Sequence, residues 1–123
     1  MVDRSSVVLC VEDDSDTQEM LRLLLCERGY GFEVAGTSAD ALRLIQEKDI
    51  ALVLLDNMLP DGNGVELCRQ VREFDKRLPI VFVSGSAHED ERREALGSGA
   101  NAFLTKPLAL DKLFATLNDY API

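Results

Sequence analysis

The sequence is short of positive charge, histidine and cysteine, lacks any long apolar run, and contains no tryptophan. Its 13 Lys and Arg stand against 22 Asp and Glu, a net charge of −9. A chain this acidic repels phosphate backbones instead of displacing their counterions, so direct nucleic-acid binding is not expected. The longest unbroken apolar run, Ile50 to Leu55, is about three times too short to cross a bilayer. No charged-then-apolar stretch precedes it, so neither a membrane span nor a leader is expected. Cys10, Cys26 and Cys68 are odd in number, far apart and set in apolar patterns. They read as buried, reduced thiols of a cytoplasmic protein, not as a disulfide framework or a zinc site.

What is present suffices for one domain over residues 1–123, with a core at about 6–120: 46% of the residues are hydrophobic, and a chain of this length buries roughly two-thirds of its unfolded surface. Val7 to Val11, Ile50 to Leu55 and Ile80 to Val83 are short apolar runs suited to strands covered on both faces. Phe32 to Ala35 and Ala102 to Thr105 are weaker strand candidates, expected either nearer the sheet edges or more polar on one face. Amphipathic stretches lie between. Ser15 with Gln18 makes a capping box ahead of Met20, Leu21, Leu24 and Leu25, and Gly29 ends that helix. Ser38 opens a second helix carrying Leu42 and Ile45. Asn63 with Glu66 caps a third, with Val65, Leu67, Cys68 and Val71. Glu89 to Leu96 forms a charged fourth helix that stops at Gly97-Ser98-Gly99. Leu110, Leu113, Phe114 and Leu117 mark a fifth. Five strand–helix repeats predict an α/β fold, doubly wound, with a parallel sheet between two layers of helices.

Ligands in such folds bind beyond the carboxyl ends of the strands. Glu12-Asp13-Asp14 follows the first apolar run, Asp56 the third, Ser84-Gly85-Ser86 the fourth and Lys106-Pro107 the fifth. Singly, each has a plain structural reading: an acidic helix cap, a turn aspartate, a solvated lysine. Jointly, they bring carboxylates, a hydroxyl and an ammonium to one rim from four different strands. Glu12, Asp13 and Asp56 gathered together repel one another unless a cation sits among them. Oxygen donors with room for water suit a hard ion such as Mg²⁺ better than zinc. A carboxylate flanked by a divalent ion, an ammonium and a hydroxyl is prepared to attack phosphorus.

These residues resemble the receiver domain of bacterial two-component response regulators, over Val7 to Leu117. The shared pattern is an acidic pair after the first strand, an Asp after the third, a Ser or Thr after the fourth and Lys-Pro after the fifth. The intervals of 43 residues (13 to 56), 28 (56 to 84) and 22 (84 to 106) resemble the family's. The resemblance implies a flavodoxin-like (βα)5 three-layer sandwich whose five-stranded parallel sheet has the order 2-1-3-4-5. It implies that Asp56 is the phosphoacceptor, charged from a phosphohistidine on a histidine kinase or phosphotransfer protein. Asp13 and Asp56 would then bind Mg²⁺ directly, Met58 through its backbone carbonyl and Glu12 through water, with Mn²⁺ an acceptable substitute. Ser84 and Lys106 would contact the phosphoryl group. Phe103 looks like the switch aromatic that swings inward as Ser84 moves, and Leu59 to Gly64 resembles the turn that shapes the acceptor side.

The implied activity is that of a cytoplasmic phosphorylation switch, catalysing only its own phosphorylation and dephosphorylation. Its changing surface would be the fourth helix, fifth strand and fifth helix, read by a downstream protein or output domain, or by a second copy in a homodimer. Departures from the pattern are mild. Glu12 replaces the commoner Asp, Ser84 stands where Thr is frequent, Asn63 where Asp is usual, and Phe103 lacks the hydroxyl of a Tyr. His88 reads as a solvated loop residue and Asp14 as an exposed neighbour of the cap. Two other readings compete. A phosphatase of the haloacid dehalogenase type also uses a strand-end Asp, but such enzymes resemble Asp-x-Asp, and Asp56-Asn57-Met58 has no second acid. A flavin binder would want a Ser/Thr/Gly-rich first loop, whereas Glu12-Asp13-Asp14 repels a phosphate.

Overall fold

A computed structural model, describing residues 6–86 and 88–123, turns this alternation into one sheet with helices on both faces. In chain order the elements are β1 (Val7–Val11), α1 (Ser15–Glu27), β2 (Gly31–Ala35), α2 (Ser38–Glu47), β3 (Leu52–Leu55), β4 (Met58–Leu59), β5 (Gly62–Asn63), α3 (Gly64–Phe74), β6 (Ile80–Ser84), α4 (Glu89–Gly97), β7 (Ala102–Thr105) and α5 (Leu110–Tyr120). The main sheet runs β2-β1-β3-β6-β7, all parallel. With the small β4–β5 hairpin set aside, this is the expected order 2-1-3-4-5.

The continuous apolar runs became the three central strands because both of their faces are covered. Successive side chains point to opposite sides. Leu9, Val11, Val53, Leu55, Ile80 and Phe82 pack with Ala41 and Leu44 of α2, Val65, Leu67, Cys68 and Val71 of α3, and Ala95 of α4. Val8, Cys10, Leu52, Leu54, Val81 and Val83 pack with Leu21 and Leu25 of α1 and with Leu113 and Leu117 of α5. The weaker strand candidates, β2 and β7, lie at the two edges, one of the two alternatives expected of them. Among the described residues, no helix is long and apolar enough to cross a membrane.

Several local expectations shift. The cap of α1 is Asp14, not Ser15: its carboxylate accepts the Thr17 N–H at 2.9 Å and the Thr17 hydroxyl at 2.6 Å. Asp14 is extended and a residue earlier, so its short side chain reaches back onto the first turn, and Gln18 is released for another use. The inward stripe of α1 narrows to Leu21 and Leu25, with Leu24 half-buried and Met20 exposed. Cys26 is exposed, contrary to expectation, while Cys10 and Cys68 are buried. One helical step carries residue 26 about 100° away from the core-facing Leu25. β3 begins two residues after the apolar run does, although Ala51 N–H already donates to the Val7 carbonyl at 2.8 Å. The hairpin itself was not foreseen; its strands are only two residues each.

Candidate functional site

Parallel register brings the strand ends to one rim. Val11 lies opposite Leu55, and the Asp56 N–H donates to the Val11 carbonyl at 3.0 Å, so Glu12 and Asp56 emerge side by side. Ser84 lies opposite Thr105, and the Lys106 N–H donates to the Ser84 carbonyl at 2.7 Å, just before a cis Lys106–Pro107 peptide. One carboxylate oxygen from each of Glu12, Asp13 and Asp56 lies within 4.8 Å of the others. Glu12 is buried, Asp56 half-buried and Asp13 exposed, so the cluster opens to solvent on the Asp13 side. The Lys106 ammonium donates to Glu12 Oε1 at 2.7 Å and stands 3.6 Å from Asp56 Oδ2. Burial works to lower the Lys106 pKa, but the hydrogen bond to Glu12 and the charges of Asp56 and Glu12 outweigh it, and the net shift is upward. The lysine is therefore a permanent cation at this rim.

Glu12 and Asp56 are held by their backbone surroundings. Glu12 Oε2 accepts the Asp14 N–H at 3.2 Å, and its carbonyl accepts the Gln18 side-chain amide, which is where the released Gln18 goes. Asp56 Oδ1 accepts the Met58 N–H at 3.1 Å. Behind Asp56, the start of α3 presses close: Gly64 N–H donates to the Asn57 carbonyl at 2.9 Å, and Asn57 Oδ1 accepts the Val65 N–H at 3.3 Å. A Cβ on Gly64 would lie 2.9 Å from the Asp56 carbonyl oxygen and 2.9 Å from the Phe82 ring, so only glycine fits there. Beneath the cluster, burial and then the Glu12 charge push the Cys10 thiol up to about 12, so it is a packing group and not a nucleophile.

Ser84 is buried at the end of β6, and its hydroxyl accepts the Ser86 N–H at 3.2 Å. Phe103 lies one strand away on β7, half-buried, its ring stacked on Phe82 with centroids 6.3 Å apart. It also lines a cavity of about 470 Å³ with Glu89 and Arg92 of α4, Pro107, and Lys112 of α5. The Met58 side chain is exposed, and only its backbone faces Asp56. Glu12, Asp13, Asp56 and Lys106 are thus brought together as expected. Strand register places Ser84 beside Lys106, and Phe103 stands apart, toward α4. His88 is exposed and makes no side-chain cap to α4.

Residues 8–118 match the family model described as the response regulator receiver domain. The chain belongs to that family. It is 38% identical over 110 residues to Response regulator MprA of Mycobacterium sp. (strain KMS), a match covering 89% of this chain and 48% of the relative. This receiver thus spans about half the length of the curated relatives it matches. Among solved structures, it is similar to the BeF3-activated N-terminal receiver domain of Klebsiella pneumoniae RstA, with a TM-score of 0.88 at 27% identity over 93% of this chain and 97% of that one. It is also similar to the receiver domain of Ssk1 from Saccharomyces cerevisiae, co-crystallised with the histidine phosphotransfer protein Ypd1. There the TM-score is 0.87 at 28% identity, over 98% of this chain and 91% of that one. Membership of the family decides for a signalling receiver over the phosphatase and the flavin binder.

The turn over Leu59 to Gly64 is expected from the resemblance and Gln18 from its capping box, but the contacts that Gln18, Asp61 and Gly64 make are not. Pro60-Asp61-Gly62 does carry a turn signal. Nothing local marks Gly64, because the backbone that excludes its Cβ arrives from β3.

Proposed function

We propose that this receiver accepts a phosphoryl group on Asp56 from a phosphohistidine of a histidine kinase or phosphotransfer protein. The observation that carries this is the convergence of Glu12, Asp13 and Asp56 with the Lys106 ammonium at one rim. A carboxylate oxygen of Asp56 attacks phosphorus, the phosphorus–nitrogen bond breaks, and the imidazole leaves with the electron pair. The similar Ssk1 receiver, crystallised with a histidine phosphotransfer protein, supports a partner of that kind.

The donor set fits a hard divalent cation. Three carboxylates against one ammonium leave two formal negative charges, every side-chain donor is an oxygen, and neither thiol nor imidazole is within the cluster. Asp13 and Asp56 would hold Mg²⁺, or Mn²⁺ in its place, directly, with the Met58 carbonyl as a third ligand and Glu12 through water. When bound, the ion supplies charge neutralisation for the phosphoryl oxygens. Lys106 needs only to exchange Glu12 Oε1 for a phosphoryl oxygen beside Asp56, a small side-chain movement. Ser84 accepts from Ser86 N–H, an arrangement in which its own proton can go to a phosphoryl oxygen.

Charge-assisted contacts contribute about 1.5–3 kcal/mol each. Moving a two-state equilibrium from 1:99 to 99:1 needs about 5.5 kcal/mol, so Ser84 and Lys106 supply much of the switch. Repacking of Phe103, which lies between the Phe82 ring and the α4–α5 cavity, supplies the rest. The surface of α4, β7 and α5 then carries the signal to a downstream protein or output domain, or to a second copy. Water attack on the acyl phosphate resets the switch, and these self-directed steps are its only catalysis. A cytoplasmic site of action goes with this reading.

Beryllofluoride titration followed by amide NMR tests it. A saturable, Mg²⁺-dependent response spreading from Asp56 to Phe103 is expected in the wild type and none in Asp56→Asn; a full response in that variant defeats the assignment.

A further inference from the structure

The tip of the β4–β5 hairpin is tied to a helix from another part of the chain. Asp61 accepts the Ser38 N–H at 2.7 Å through one carboxylate oxygen and the Ala39 N–H at 3.1 Å through the other. These are the first two residues of α2, and the N–H of the third, Asp40, is taken at 3.2 Å by the Thr37 hydroxyl. The opening N–H groups of a helix have no partner inside it, and a carboxylate placed there gains from charge assistance and the helix dipole. Those two hydrogen bonds, Ser38 first, hold the Asp61 carboxyl below its usual range. The other end of the hairpin meets the acceptor. Met58 N–H donates to Asp56 Oδ1 at 3.1 Å, and Met58–Leu59 pairs with Gly62–Asn63. Two-residue strands are too short to keep a hairpin's shape unaided. Asp61 is the group that anchors its tip.

We propose that Asp61 is a positioning residue: by capping α2 it holds the hairpin, and with it the Asn57–Met58 backbone beside Asp56, in the geometry that a divalent cation at Glu12, Asp13 and Asp56 requires. This rests on the reading of the Met58 carbonyl as a ligand of Mg²⁺. That ion demands near-octahedral geometry, so a ligand carbonyl on a loose hairpin binds it poorly.

The test is a calorimetric Mg²⁺ titration of the wild type, Asp61→Ala and Ser38→Pro, with Asp13→Asn as the reference for lost binding. Ser38 is the first helical residue, where proline fits, and Thr37 before it is extended (φ −137°, ψ 160°), as a residue preceding proline must be. Ser38→Pro therefore deletes one donor without touching the hairpin. Asp61→Ala is expected to weaken Mg²⁺ binding about three- to tenfold, less than the roughly 10–100-fold typical when a direct partner of a ligand is lost. Ser38→Pro should weaken it in the same direction by a smaller factor. In the metal-free protein, hydrogen exchange at the Met58 amide should quicken in both variants while β1 and β3 keep their protection. Unchanged Mg²⁺ affinity and unchanged Met58 exchange in both, with binding still lost in Asp13→Asn, overturn the positioning role alone. Mg²⁺ binding indifferent to Asp13→Asn overturns the metal reading beneath it. If Asp61→Ala melts too low to titrate, Asp61→Asn, which keeps one acceptor, carries the comparison with Ser38→Pro.

Discussion

Lys106 hydrogen-bonds Glu12 and pairs only at longer range with Asp56: its ammonium is 2.7 Å from Glu12 Oε1 and 3.6 Å from Asp56 Oδ2. The stronger contact goes to the most buried acid of the cluster, which has least access to water and gains most from a counter-charge. Asp56 is left with the weaker contact, its Oδ1 held by the Met58 amide. The resting receiver thus keeps its cation beside the proposed acceptor, parked on a neighbour.

Removing that cation exposes its structural share. Lys106→Met leaves Glu12 buried without its ammonium, and urea melts at pH 7 should show a loss of about 1–3 kcal/mol. The folded state raises the Lys106 pKa above its ordinary 10.5, so the folded protein holds this proton more tightly than the unfolded chain. The stabilisation is therefore complete below about pH 10.5 and falls as pH rises through the folded value. Wild-type stability should drop through that alkaline window and Lys106→Met should drop less. Parallel curves count against the pair.

Repulsion among the acids should be visible without metal. In chelator-treated buffer, Asp13→Asn is expected to raise the Tm by roughly 2–4 °C, and added Mg²⁺ should narrow or reverse the gap. A lower Tm in the metal-free variant argues that the cluster is not under strain.

Gly64 is required for space, not for backbone freedom. Gly64→Ala puts a Cβ 2.9 Å from the Asp56 carbonyl oxygen and from the Phe82 ring. A cost of about 1–3 kcal/mol is expected in denaturant melts, with slower acetyl phosphate-driven labelling of Asp56. Wild-type stability in this variant contradicts the close approach of α3 to β3.

The three thiols should divide one to two. Cys26 is exposed on α1, whereas Cys10 and Cys68 are buried, with raised pKa values caused first by burial. Brief iodoacetamide treatment of the native protein, read by mass spectrometry, should modify Cys26 alone, and the other two only after unfolding. Early labelling of Cys10 or Cys68 contradicts their burial.

Much of this was legible in the linear chain because it depends on short-range rules. Apolar runs of four to six residues suit strands covered on both faces when turn residues bound them, whereas Leu23 to Cys26, an equally apolar run, lies inside the amphipathic α1. Gly29, Asn63 and Gly97-Ser98-Gly99 mark helix ends through local backbone chemistry. Residues immediately after the apolar runs must reach one rim once the strands are parallel, which is why Glu12, Asp13, Asp56, Ser84 and Lys106 could be named together. The misplaced α1 cap and the exposed Cys26 turn on one residue of phase, which neighbouring apolar residues do not define.

The sequence by itself therefore determined the fold class, the rim and the chemical character of its residues, since periodicity and strand-end position are properties of the chain taken a few residues at a time. Tertiary structure alone decided which groups are partners: Lys106 with Glu12 across 94 residues, Asp61 with the start of α2, Gly64 against the back of Asp56. The physical reason is that hydrogen bonds and steric exclusion act over about 3 Å, a scale reached only when packing of the two core layers brings distant backbone segments into contact.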